Sequence, residues 1–135
     1  MLLWGVADQP LILTPLKQAV ATLDEALGAP DSGFVRDAIV KRFEYTYELS
    51  WKFMRRHLIW AALEPEPETR RDLFRAAARA GLIDDPEAWF AFHEARNLTA
   101  HTYNERNAAK VIDAARHLLP AARSLLEALA RHHGT

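Results

Sequence analysis

From Phe34 to Ala62 the chain contains neither glycine nor proline, a run long enough for about eight turns of α-helix, and no other feature narrows the possible folds so sharply. Its apolar residues do not keep to one stripe. Ile39, Phe43, Tyr47 and Met54 mark one face, while Tyr45, Leu49, Trp51, Phe53 and Trp60 crowd others. A helix that is apolar on several sides needs neighbours on several sides. In a chain of 135 residues, part of that surface is expected to meet a second subunit.

The remaining punctuation cuts out four further helices, and no alternating pattern argues for a strand. Thr14 before Pro15 reads as an N-cap with proline at the first helical position, and Leu16, Val20, Leu23 and Leu27 hold one face until Gly28. Residues 29–33 form a turn, and Glu64-Pro65-Glu66-Pro67-Glu68 is an extended acidic connector. Thr69 and Asp72 have capping-box spacing and open a short helix from Arg70 to Ala80, which Gly81 closes. Asp85-Pro86 starts a fourth helix carrying Trp89, Phe90 and Phe92. The last helix runs from about Glu105 to His132, and Pro120 should bend it. Long helices on short links predict an all-α fold, a four- to five-helix antiparallel up-and-down bundle, within a single domain spanning 1–135 with its core at about 14–132.

Charge and composition exclude several classes of function. Seventeen basic residues against 18 acidic ones leave a formal net charge of −1, so any nucleic-acid contact must rest on local clustering. The absence of cysteine excludes a disulfide scaffold, a thiolate zinc site and a cysteine nucleophile. The apolar start lacks a basic region and is broken by Asp8 and Pro10, so it reads poorly as a signal peptide. No run approaches the roughly 20 apolar residues of a membrane span. A cytoplasmic protein is expected, without membrane association.

Chemistry concentrates in the segment from Arg96 to Tyr103. If the fourth helix continues through Tyr103, then Glu94, Asn97, His101 and Asn104 fall on one polar stripe at i, i+3, i+7 and i+10, and Arg96 and Tyr103 share a neighbouring face. An imidazole that titrates near neutrality can move a proton, and a guanidinium can neutralise a phosphate, so Arg96 and His101 suit metal-independent RNA cleavage. Asn97 could orient the imidazole or bond a phosphate oxygen. Spacing alone favours a solvated polar face, or groups satisfying one another at a subunit interface, over an active site.

The string Arg96-Asn-Leu-Thr-Ala-His101-Thr-Tyr103-Asn-Glu resembles the signature of HEPN proteins, and Tyr103 is similar to the tyrosine of the HepT-like branch, the nucleotidyltransferase substrate-binding protein family. The runs from Arg42 to Lys52, Arg71 to Arg75 and Gly81 to Asp85 with Trp89 resemble that family in the same order, so the likeness covers roughly Thr14 to Leu129. The resemblance implies a homodimer or higher oligomer, with two Arg and His motifs facing a shared cleft. It also implies a separate minimal nucleotidyltransferase as partner. His101 would act as general base or acid on an RNA 2′-hydroxyl, Arg96 would stabilise the phosphorane and Asn97 would support the geometry, with no metal and no cofactor required. Tyr103 is the implied acceptor of AMP from the partner, and adenylate beside Arg96 would exclude substrate phosphate, as in a toxin-antitoxin pair. The alternative that the family implies is a noncatalytic substrate-binding subunit of a two-component nucleotidyltransferase. The chain carries no Gly-Ser motif with paired aspartates, so it is not expected to transfer nucleotides itself.

Other residues carry weaker signals. Glu44 and Glu48, one turn apart, could support an imidazole across an interface, or be surface charges paired with Arg42 and Lys52. Trp51, Trp60 and Trp89 are assigned to packing. Arg70, Arg71, Arg75 and Arg79 form either an RNA-guiding patch or a solvated face. His132 and His133 lack a third ligand at convincing spacing, and His57, His93 and His117 are expected to stand alone.

Overall fold

A computed structural model describes residues 9–62 and 67–134, and within them the run without glycine or proline is one continuous helix as far as Trp60, ending in a turn at Ala61 and Ala62. Among the described residues five α-helices follow in order: α1 Thr14–Gly28, α2 Gly33–Trp60, α3 Arg70–Arg79, α4 Pro86–Leu98 and α5 Glu105–His133. A single 3-10 turn, Thr99–His101, joins the last two. No strand occurs among the described residues, and the all-α bundle is as expected. The apolar start through Asp8, and Glu64, Pro65 and Glu66 of the acidic connector, lie outside the described residues.

Helix boundaries follow from local hydrogen bonding. The Ser32 hydroxyl accepts from the Val35 amide at 3.1 Å, Thr69 from Asp72 at 3.0 Å and the Asp85 carboxylate from Glu87 at 3.0 Å, each satisfying an amide that has no intrahelical acceptor. Helix α1 departs from expectation. Leu13 occupies the cap position with no side-chain bond, and Thr14 already lies inside the helix, so the opening rests on Pro15, which has no amide to satisfy. Gly81, at φ +79°, ends α3 in a Schellman motif in which the Leu82 amide donates to Ala77 O and the Gly81 amide to Ala78 O. Helix α5 runs on through Pro120, which is exposed and leaves the Arg116 carbonyl without its usual donor.

Helix α2 is the centre of the molecule and packs against each of the other four. Phe43, Tyr47, Phe53, Met54 and Leu58 are buried with Leu16 and Leu23 of α1, Phe74 of α3, Trp89 of α4 and Val111, Leu118 and Leu125 of α5. Burying each such side chain contributes roughly 1.5–3 kcal/mol. The chain's own helices thus take most of the apolar surface of α2, leaving Phe34, Ile59 and part of Tyr45 exposed. Helix α1 reverses into α2 and α4 reverses into α5. Helices α2 and α5 run in the same direction: Val35 and Ile39 line a cleft with Glu105 and Ala108 at one end, and His57 meets His133 at the other. Among the described residues no helix is long and apolar enough to cross a membrane.

Candidate functional site

Helix α4 does not continue through Tyr103. Its last α-helical residue is Leu98, and the chain then tightens into the 3-10 turn and reverses through Thr102 and Tyr103. Two side chains account for the break. The Thr99 hydroxyl donates back to Arg96 O at 2.7 Å, and the Asn104 carboxamide oxygen accepts from the Arg106 and Asn107 amides at 2.9 and 3.3 Å. Asn104 therefore starts α5 as its N-cap instead of extending a stripe on α4. The four-residue stripe from Glu94 to Asn104 does not exist as one helical face, and Arg96 and Tyr103 do not share a face.

What the fold does assemble is a clamp on Arg96. Its Nε lies 3.4 Å from Glu48 Oε1 and its Nη1 3.7 Å from Glu44 Oε2, so both carboxylates of α2 converge on one guanidinium of α4. The Thr99 hydroxyl proton, shared with Arg96 O, faces the same Glu44 oxygen at 3.1 Å, and Lys41 Nζ reaches the other at 3.4 Å. Glu44 and Glu48 thus serve Arg96; Arg42 turns instead to Thr22 O and Glu25. Lys41 and Arg96 against Glu44 and Glu48 balance, so this part of one copy carries no net charge.

A second layer fixes the clamp from behind. The Trp51 indole donates to Glu48 Oε2 at 2.9 Å, and Arg70 of α3 lies 3.5 Å above the Trp51 ring. Arg70 Nη1 also donates to the Tyr47 hydroxyl at 3.4 Å, which leaves the phenol proton for His93 Nδ1 at 2.7 Å. Burial pushes the Tyr47 phenol up to about 12, and burial followed by the nearby Arg70 charge holds the His93 imidazole below its ordinary value. His93 therefore does not stand alone, and Trp51, assigned to packing, also supplies a hydrogen bond. Glu48 to Trp51 and His93 to Arg96 are both i, i+3 pairs, and that spacing was the available signal for this layer.

Beyond the clamp, the loop presents His101 and Tyr103 to solvent. Tyr103 is 87% exposed, and its ring meets the His101 ring edge-on with centroids 6.2 Å apart. The Asn107 side chain donates to His101 O at 3.2 Å and ties this turn to α5. Asn97 is exposed and its side chain has no hydrogen-bond partner among the described residues. The structure thus joins Arg96 to Glu44, Glu48 and Thr99, and His101 to Tyr103, without a direct contact between the two groups. The guanidinium carbons of Arg71 and Arg75 of α3 lie over the Phe90 ring at 4.6 and 5.6 Å, so both charges engage an aromatic face.

Comparison with known proteins places these observations. A family model described as "Nucleotidyltransferase substrate binding protein like" matches residues 11–131. A Haemophilus influenzae protein named "Probable ribonuclease HepT" is 39% identical over 75 residues, covering 53% of this chain and 51% of that protein. The chain thus matches about half the length of that curated relative. A Haemophilus influenzae structure, titled as the fold of a substrate binding domain of a nucleotidyltransferase, superposes with a TM-score of 0.78 at 29% identity, covering 87% of this chain and 98% of that one. A crystal structure from Thermus thermophilus gives a TM-score of 0.74 at 30% identity, covering 84% of this chain and 98% of that one.

Proposed function

Because this chain belongs to the nucleotidyltransferase substrate-binding protein-like family, we propose that it is a HepT-like, metal-independent endoribonuclease, active as a homodimer and silenced when a separate minimal nucleotidyltransferase transfers AMP to Tyr103. The observation that carries the reading is the Arg96 clamp beside the turn that presents His101 and Tyr103. A guanidinium held by two carboxylates, one of which is itself fixed by Thr99, is pre-set in position, which an electrostatic stabiliser of a phosphorane requires.

In this mechanism His101 takes the proton of an RNA 2′-hydroxyl, and the 2′-oxygen attacks the adjacent phosphorus. Arg96 neutralises the pentacoordinate phosphorane. The 5′-oxygen then leaves with a proton, giving a 2′,3′-cyclic phosphate and a 5′-hydroxyl. A second copy supplies the second imidazole that protonates the leaving group, and a second guanidinium that can hydrogen-bond the phosphate. An open, largely apolar groove of about 480 Å³, lined by Ala88, Ala91, Ala95 and Leu98 of α4 with Ala114 and Ala121 of α5, runs along the helix that carries Arg96 and offers a surface for that copy.

The exposure of Tyr103 supports its role as acceptor. Its phenol oxygen would attack the α-phosphorus of ATP on the partner enzyme, with pyrophosphate leaving and the phenolic proton passing to solvent. The anionic adenylate, on a ring that already meets His101, would bar substrate phosphate by volume and charge.

Incubating purified, unmodified protein with a mixed RNA pool in EDTA tests the reading. Cleavage is expected from the native chain and not from His101→Ala or Arg96→Ala. One observation favours a second reading, a noncatalytic substrate-binding subunit of a nucleotidyltransferase: Arg96 is already engaged by two carboxylates. Intact RNA across all three proteins, with mass spectrometry confirming unmodified Tyr103, would select it.

A further inference from the structure

At the other end of the bundle, roughly 14–20 Å along α2 from the Arg96 clamp, three imidazoles and an indole meet around the start of the described chain. The Leu11 amide donates to His133 Nδ1 at 3.0 Å, and His133 Nε2 lies 2.8 Å from His57 Nδ1. These two bonds admit one proton arrangement. Because His133 Nδ1 accepts from the amide, the ring's proton sits on Nε2 and is donated to His57. His57 Nδ1 must then be an acceptor, with its own proton on Nε2. Both rings are neutral. A proton added to His133 turns Nδ1 into a donor facing the Leu11 N–H, and a proton added to His57 turns Nδ1 into a donor facing His133 Nε2–H. Neither ring can charge without breaking a bond of the relay.

We propose that the Leu11–His133–His57 relay is a proton-operated latch that fastens the chain at Leu11 and the last turn of α5 onto the end of α2, and that opens when either imidazole takes up a proton. His57 is 2% exposed, and the Trp60 ring packs against His133 with centroids 4.4 Å apart, so a charge arriving here is poorly solvated. Among the described residues the titratable groups acting on the pair come from α2 and α5: His57 itself, His132, whose ring lies 4.6 Å from that of His57, and His133. All three would carry the same sign, so protonating one repels the next, and the N-terminal segment offers the pair its Leu11 amide. Burial, followed by His132 and His133, lowers His57 to about 4, and burial followed by His132 lowers His133. This cluster replaces the expectation that His57 stands alone.

Hydrogen exchange resolved by NMR tests the latch on the native chain. With His57 at about 4 closed and 6.5 open, the Leu11 amide should lose about twentyfold in protection, after correction for intrinsic exchange, between pH 7 and pH 5. The Ala95 amide in α4 should keep its protection over that range. In His133→Phe, Leu11 should be unprotected at every pH, with no step, while His132→Ala keeps the step. Imidazole nitrogen shifts of the unsubstituted protein at pH 8 should show both His57 and His133 protonated on Nε2, a reading independent of how the variants fold. Leu11 protection without a pH step, loss in concert with Ala95, or a His57 ring protonated on Nδ1 at pH 8 would each overturn the proposal.

Discussion

Replacing Arg96 with methionine keeps the stem that packs beside α2 but removes the charge between Glu44 and Glu48, leaving two carboxylates one turn apart with Lys41 as their nearby cation. At about 3.5 Å and an effective dielectric near 20, each guanidinium–carboxylate pair has a gross attraction of about 5 kcal/mol. The side chains are 34% exposed for Arg96, 27% for Glu44 and 29% for Glu48, so solvent and desolvation cancel most of that. About 1 kcal/mol should remain per pair, and Arg96→Met should cost about 2 kcal/mol, or on the order of 6 °C in melting temperature. Glu48→Gln alone should cost about 1 kcal/mol, since the amide oxygen can still accept the Trp51 indole. The assay is urea unfolding of the native chain, both single variants and the double variant, compared at constant m-value. The double variant should be about 1 kcal/mol less destabilised than the sum of the singles. Additivity to within about 0.3 kcal/mol would show that Glu48 does not hold Arg96, and the pre-set guanidinium would lose its basis.

Other perturbations follow from the same contacts. Tyr47→Phe removes the donor to His93 Nδ1 and should cost about 1–2 kcal/mol in the same unfolding assay. The Tyr47 phenol, raised from 10.0 to about 12, contributes stability that is complete below pH 10 and lost as pH rises through 12, so ultraviolet titration should find one tyrosine ionising late and together with unfolding. Asn104→Ala should cost about 1 kcal/mol and speed exchange of the Arg106 and Asn107 amides, because the α5 cap is lost. Gly81→Ala forces a side chain into φ +79° and should cost about 1 kcal/mol by thermal unfolding, although nothing crowds its Cβ.

The helices were legible because their signals are local. Thr69 and Asp85 announce two starts, Gly81 announces one stop, and the long run after Gly33 could hardly be anything but α2. The break after Leu98 was not, because Thr99 and Asn104 use their side chains on backbone groups in a way that helical spacing cannot reveal. Arg96, His101 and Tyr103 were visible as residue types. Their actual partners were hidden, since Glu44 meets Arg96 only once α2 and α4 pack, and a carboxylate on the same helix as Arg42 and Lys52 reads just as well as a surface charge. The same holds for Tyr47 with His93 and for His57 with His133, pairs 46 and 76 residues apart.

The most direct test of the proposed chemistry compares an RNA oligonucleotide containing a mapped cleavage site with its all-deoxy counterpart, both incubated in EDTA with unmodified native protein. Attack by a 2′-oxygen predicts that the RNA is cut to a 2′,3′-cyclic phosphate and a 5′-hydroxyl while the DNA stays whole. Cutting of both strands, or cutting of RNA to a linear phosphate that appears only when a divalent metal is restored, would contradict the mechanism assigned to Arg96 and His101.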